Sequence, residues 1–162
     1  AVPANGVRDI VALAKAKPGH LNYGSPGAIT SGHLSMELLK SMAGIEITHI
    51  PYKGGPPAIT DLIAGQVQLV INGPPNVLPH IRAGRLKAIA VTTAKRFSGL
   101  PEVATVAEQG YPGYETYEWY GVFAPGKTPR PVVDKLSQEI ARQIRTPEVS
   151  ERMEAWVRSP PR

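Results

Sequence analysis

The chain has no cysteine. Disulfides, thiolate zinc sites and cysteine nucleophiles are therefore excluded, while the redox compartment stays open. No apolar run approaches the roughly 18 residues that a membrane span needs. There is no Gly-x-Ser-x-Gly elbow, no Walker loop, no Gly-x-Gly-x-x-Gly and no His-Glu-x-x-His. No pattern that would hold a cofactor is present, so none is expected. The four histidines, His20, His33, His49 and His80, match no metal-ligand spacing. Only three aspartates occur, Asp9, Asp61 and Asp134. Each falls on a predicted helix, where a surface or dipole role is the default. The chain starts at Ala1 without Met or signal peptide and stops in Ser159-Pro160-Pro161-Arg162.

What is abundant is glycine and proline, 16 and 17 of 162 residues. Together they exceed the usual share of about 12%. Hydrophobic residues make up 42%, enough for a core, so the chain is not disordered. Its formal charge is +5. The excess lies in residues 1–100, with 10 Lys/Arg against 4 Asp/Glu, while the remaining 62 residues hold 8 against 9. A basic half suits nucleic acid, an acidic surface or a small anion. The densest stretch is Arg82, Arg85, Lys87, Lys95 and Arg96, broken by apolar residues and without a nucleic-acid motif. It reads as a solvated surface whose field favours anionic ligands, and nucleic acid is not expected as a partner.

Glycine and proline divide the sequence into short elements. Val7, Ile10, Val11, Leu13 and Ala14 read as an amphipathic helix closed by Lys17-Pro18-Gly19. Leu21 to Gly24 reads as a strand. Ser31 to Ala43 reads as a helix with Leu34, Leu38 and Met42 in one row. Strands are expected at Glu46–Ile50, Val67–Ile71 and Leu86–Thr92, with helices at Pro56–Ala64 and Asn76–Ala83 between them. This alternation predicts an α/β domain with a mostly parallel sheet flanked by helices. Ligands of such sheets sit beyond the carboxyl ends of the strands. A loop with a short helix near Thr105–Gln109 follows, then an aromatic strand over 114–124. Two amphipathic helices come last, Pro129–Ile144 and one capped by Thr146-Pro147-Glu148.

The loop Tyr23-Gly24-Ser25-Pro26-Gly27-Ala28-Ile29-Thr30-Ser31-Gly32-His33 joins a strand end to a helix start. Gly24 and Gly27 let a ligand approach the backbone. Ser25, Thr30 and Ser31 supply hydroxyls, and the helix's first turn supplies N–H groups and a positive dipole end. Read plainly, Thr30 or Ser31 is an N-cap and the glycines make a turn. His33 reads as a packing residue or a hydrogen-bonded loop anchor as well as a ligand contact. Lys53 follows the next strand and adds charge there or stays solvated. Asn72 ends the third strand and reaches the same crevice with an amide or makes an Asx turn. Trp119 and Tyr120 suit either a cleft lining or a strand's core.

Taken together, several motifs resemble the Bug family, the periplasmic solute-binding receptors of tripartite tricarboxylate transporters. They are Leu21-Asn22-Tyr23-Gly24-Ser25-x-Gly, His33-Leu34, His49-Ile50-Pro51-Tyr52-Lys53-Gly54, Gly65-Gln66-Val67-Gln68, Leu78 to Ala88, Thr105-Val106-Ala107-Glu108 and Trp119-Tyr120-Gly121. The resemblance implies a type II periplasmic-binding-protein fold of two α/β lobes closing on a small organic carboxylate, delivery to membrane transporter subunits, and no catalysis. It carries over a ligand site at Gly24, Ser25, Gly27, Thr30, Ser31 and His33. Lys53 and Asn72 join it as neighbours in the crevice. The family often has Gly where this chain has Ile29, and Ser or Thr where it has Gly32. The Pro-Phe-x-Pro-Gly-Gly loop of the family's first lobe is absent. The chain is thus expected to be truncated: residues 1–113 a second lobe with half a site, 114–124 a crossover strand, and 125–162 a helical return into a missing first lobe. The stripe Val133, Leu136, Ile140, Val149, Met153 and Trp156 would then be uncovered, and either a homodimer through these helices, including by exchange of the segment, or docking of the segment onto its own lobe is expected. Two other readings remain: a hydrolase or isomerase using Ser31 and His33, or the effector-binding domain of a transcription regulator.

Overall fold

A computed structural model describes residues 2–157. The chain folds as two units, Ala1–Glu118 and Trp119–Arg162. The first begins with helix α1 (Val7–Ala16), which buries Val7, Ile10, Val11 and Ala14. That spacing puts one stripe on one face. Its first turn is satisfied from across the unit, where Gln109 Oε1 accepts the Val7 N–H at 2.7 Å.

Strand β1 (Asn22–Ser25) is central in a parallel sheet of order β2-β1-β3. Strand β2 is Thr48–Pro51 and β3 is Leu69–Val70. Tyr23 stands opposite His49 on one side and Leu69 on the other. Helices α2 (Ser31–Ala43), α3 (Gly55–Ile63) and α4 (Pro74–Arg82) follow the three strands in turn. Their N-termini therefore gather at the sheet's carboxyl edge, where the sequence places the site. Tyr23 faces a core built with Val7, Ile10, Met36, Leu39, Ile45 and Ile47. Alternation turns Gly24 to the other face, where an added Cβ would lie 3.0 Å from the Tyr52 ring and 3.2 Å from Val70.

Several expectations change. The row Leu34, Leu38 and Met42 lies on the solvent side of α2, which instead buries Gly32, Ser35, Met36, Leu39 and Ala43. Ser35 is tolerated inside because its hydroxyl donates to Ser31 O at 2.7 Å and meets Thr116 Oγ1 at 2.8 Å. Residues 86–92 form no strand; only Val91 bridges to Thr105. Residues 106–110 form turns rather than a helix, and the third strand is shorter than expected. Residues 114–124 join no ladder among the described residues. Tyr114 lies in the core of the first unit, and Thr116 N–H donates to Thr92 O at 2.9 Å. The first unit, Ala1–Glu118, thus includes this segment up to Glu118.

The second unit holds α5 (Arg130–Ile144) and α6 (Pro147–Val157). No residue of α5 is buried, and Leu136, Ile144 and Met153 are about half exposed. Trp119, Tyr120 and Phe123 are exposed as well, so they are not core. The Trp156 side chain and the Ser159–Arg162 end lie outside the described residues. No described helix is long and apolar enough to cross a membrane.

Candidate functional site

Three helices start at the carboxyl edge, but they differ in the donors they offer. Helix α3 opens Gly55-Pro56-Pro57 and α4 opens Pro74-Pro75, so prolines remove most of their first-turn N–H groups. The first turn of α3 is also covered: a Cβ on Gly55 would lie 2.7 Å from Asn76 Nδ2 and 2.8 Å from Asn72 Nδ2. Helix α2 opens Ser31-Gly32-His33 with three N–H groups and no side-chain cap on any of them. It has no acidic residue in its first turn. The dipole end and the uncapped N–H groups of α2 favour negative charge here, and the Glu118 carboxylate lies beside this turn, 3.0 Å from the Ser31 hydroxyl.

The loop before α2 is held by its own polar groups. Ser25 is fully buried, and its hydroxyl donates to Gly27 O at 2.8 Å. With that one proton committed, His49 Nε2, 2.7 Å away, is the donor to Ser25 Oγ. The Thr30 hydroxyl donates to Gly27 O at 2.7 Å rather than capping the helix. The Ile29 N–H donates to His33 Nδ1 at 3.0 Å. The rings of Tyr23, His49 and His33 stack in series, with centroids 4.8 and 4.1 Å apart. Gly24, Ser25, Gly27, Thr30 and the His33 ring therefore build the frame. Ser31 alone turns its hydroxyl outward, to Glu118 Oε1 at 3.0 Å. The other Glu118 oxygen lies 3.0 Å from where a Cβ on Gly73 would be.

Lys53 is solvent-exposed after β2. Asn72 makes the turn: its Oδ1 accepts the Gly73 N–H at 2.9 Å and Asn76 Nδ2 at 2.8 Å. Its own Nδ2 is buried without an acceptor. Sequence reasoning missed Glu118, Asn76 and His49 as members of this cluster. His49 sat within a quoted motif, but no local pattern points to Glu118, 87 residues from Ser31.

Ser31 and His33 are not hydrogen-bonded to each other: the Ser31 hydroxyl donates to Glu118, and His33 Nδ1 accepts from Ile29. Among the described residues, Ser25 Oγ and His49 Nε2 are a serine–histidine pair in contact, 2.7 Å apart within the frame of the loop.

Behind the stack, Glu37 accepts the Tyr23 O–H at 2.7 Å and Lys40 Nζ at 2.8 Å. Burial opposes ionisation of Glu37, but these two bonds outweigh it and lower its pKa. Burial and then the Glu37 bond push the Tyr23 phenol up. Burial lowers the His49 pKa, helped by the neighbouring His33 and Lys40. The unfolded chain therefore takes a proton below about pH 6.5 that folded His49 resists. Stability is expected to fall as pH drops from there through the folded His49 value. The Glu37 contribution is complete above its unfolded pKa of about 4.3 and is lost only as pH falls through its lowered folded value. Urea midpoints between pH 8 and 3 should show both steps, and His49→Gln should flatten the upper one alone.

The sequence profile described as "Tripartite tricarboxylate transporter family receptor" matches residues 1–157. The chain belongs to this receptor family. Among its relatives, a UPF0065 protein from the tcbD-tcbE intergenic region of Pseudomonas sp. (strain P51) is 45% identical over 155 residues. That match covers 93% of this chain and 46% of the relative. The structure of an R. palustris protein, Rpa4515, with adipate superposes with a TM-score of 0.91 at 39% identity, over 99% of this chain and 54% of that one. The periplasmic binding protein BugD gives 0.89 at 35%, over 95% and 52%. The chain thus spans about half the length of the receptors it matches. The receptor family and its fold, as read from the motifs at Leu21–Gly27 and His49–Gly54, are borne out.

Proposed function

We propose that this chain carries one lobe's share of the carboxylate site of a periplasmic solute receptor, which serves membrane transporter subunits and performs no catalysis. The observation that carries the reading is the uncapped first turn of α2, with Ser31, Gly32 and His33 N–H groups at the carboxyl edge of a parallel sheet. A carboxylate accepting two or three such bonds needs no Arg or Lys partner. The adipate in the related R. palustris structure supports a small organic carboxylate as the ligand class. The Ser31 hydroxyl, which here donates to Glu118 Oε1 at 3.0 Å, would have to leave that carboxylate to serve as a fourth donor. Gly24, Ser25, Gly27 and Thr30 shape the loop, and Asn72 and Lys53 border it.

Titration of the 15N-labelled chain with adipate and succinate tests this. Amide shifts should concentrate on Ser31, Gly32 and His33, with a dissociation constant of about 1 mM or weaker, because a half-site leaves most of the ligand in water. Equal shifts spread over the surface, or none at these amides, would remove the reading. Turnover of an ester or amide substrate lost on His33→Ala would favour the enzyme instead.

A further inference from the structure

We propose that His33 is a positioning residue whose ring holds Ile29 in a left-handed conformation and so fixes the turn that presents the α2 donors. The proposal rests on the carboxylate reading of that turn for its functional meaning. Among the described residues, Ile29 is the one non-glycine with positive φ, at 62°. For a β-branched residue this conformation is an outlier, disfavoured by about tenfold or more relative to glycine. Packing does not hold it, since Ile29 is 78% exposed. What holds it is its N–H, donated to His33 Nδ1 at 3.0 Å. The geometry resembles a capping box moved by one residue, with an N3 side chain reaching back to the residue before the N-cap.

The acceptor is itself fixed. Because Nδ1 accepts, the ring hydrogen is on Nε2, 4.0 Å from Glu37 Oε1. The ring lies 4.1 Å from His49 with planes 17° apart, and His49 lies on Tyr23. Lys40 completes the group through its bond to Glu37. Strands β1 and β2 thus hold the ring, the ring holds Ile29, and Ile29 sets the entry into Thr30 and Ser31. A glycine at 29 would need no such hold, which ties the role of His33 to this chain's isoleucine.

Four variants decide it: His33→Ala, His33→Asn, Ile29→Gly and Ile29→Gly with His33→Ala. The first readouts need no ligand. They are the residue 29 amide exchange rate and its HN–Hα coupling, which reports φ. His33→Ala should speed exchange about tenfold and move the coupling away from the positive-φ value. Asparagine places Oδ1 near where Nδ1 sits, so His33→Asn should restore both to within about threefold. Adipate affinity should fall about fivefold in His33→Ala, but less than twofold when the same change is made on Ile29→Gly. An unchanged coupling at Ile29 in His33→Ala, or an equal affinity loss in the glycine background, overturns the proposal. If adipate shifts no amide in any of the proteins, the carboxylate reading fails, and exchange and coupling still decide the positioning role.

Discussion

Tyr114→Ala is expected to cost about 3–5 kcal/mol, as deletion of a buried aromatic ring usually does. Tyr114 is 1% exposed and sits in the core with residues of α1, α2 and β1. Its hydroxyl donates to Ser35 O at 2.9 Å, inside the body of α2. Burial raises its pKa, so it stays a neutral donor. Tyr114→Phe keeps the ring and loses only that bond, at a cost of about 1 kcal/mol. Thr116, two residues beyond it, is stitched in as well. Thr116 accepts from the Thr92 hydroxyl at 3.2 Å and meets the Ser35 hydroxyl at 2.8 Å. A chain ending at Glu118 should therefore unfold cooperatively in urea, while one ending at Gly113 should lose most of its transition. If Tyr114→Ala shifted stability by less than about 1 kcal/mol, the boundary at Glu118 would have no energetic basis.

That boundary also shows where sequence reading works and where it stops. Helix α2 is found from Ser31 to Ala43 because a polar start and a Gly44 stop, in αL at φ 61°, bracket it. Helices α3 and α4 begin one and two residues before the expected starts, since Gly55 and Pro74 already have helical geometry. Residues 86–92 and 114–124 carry strand-like composition, yet a strand exists only with a ladder partner. The composition records a pleated surface to be covered; it does not name the cover. The row Leu34, Leu38 and Met42 failed for a related reason. Apolar spacing marks a face, while the buried face of α2 is chosen by small residues, Gly32 and Ser35, that let α2 approach the sheet. At the site, the donors of α2 are legible because they follow from a helix start. The Ile29–His33 bond is not, because it depends on a φ value that isoleucine rarely takes.

Gly32→Ala should show how much that close approach is worth. A Cβ on Gly32 would lie 2.5 Å from Ile71 O and 3.3 Å from Pro26 Cδ. Ile71 directly follows β3, whose Leu69 and Val70 pair with β1, so the carbonyl cannot swing aside without disturbing the ladder. Overpacking of this kind costs about 3 kcal/mol, and alanine's better helix propensity returns about 1. A net loss of about 2 kcal/mol is expected in urea unfolding. Gly55→Ala is the control. Its Cβ would also fall under 3 Å from neighbours, but those are the side-chain amides of Asn76 and Asn72. A side-chain end can move where a backbone carbonyl cannot, so Gly55→Ala should cost at most about half as much. The change at Gly32 also has a local consequence. Relief of the clash must push the first turn of α2 away from the end of β3, which moves the Ser31, Gly32 and His33 N–H groups together. Adipate shifts at these amides should therefore shrink in Gly32→Ala at protein stabilities where Gly55→Ala leaves them intact. Equal costs for the two alanines, with the amide shifts unchanged, would mean that the end of β3 yields freely and that Gly32 does not set the geometry of the turn.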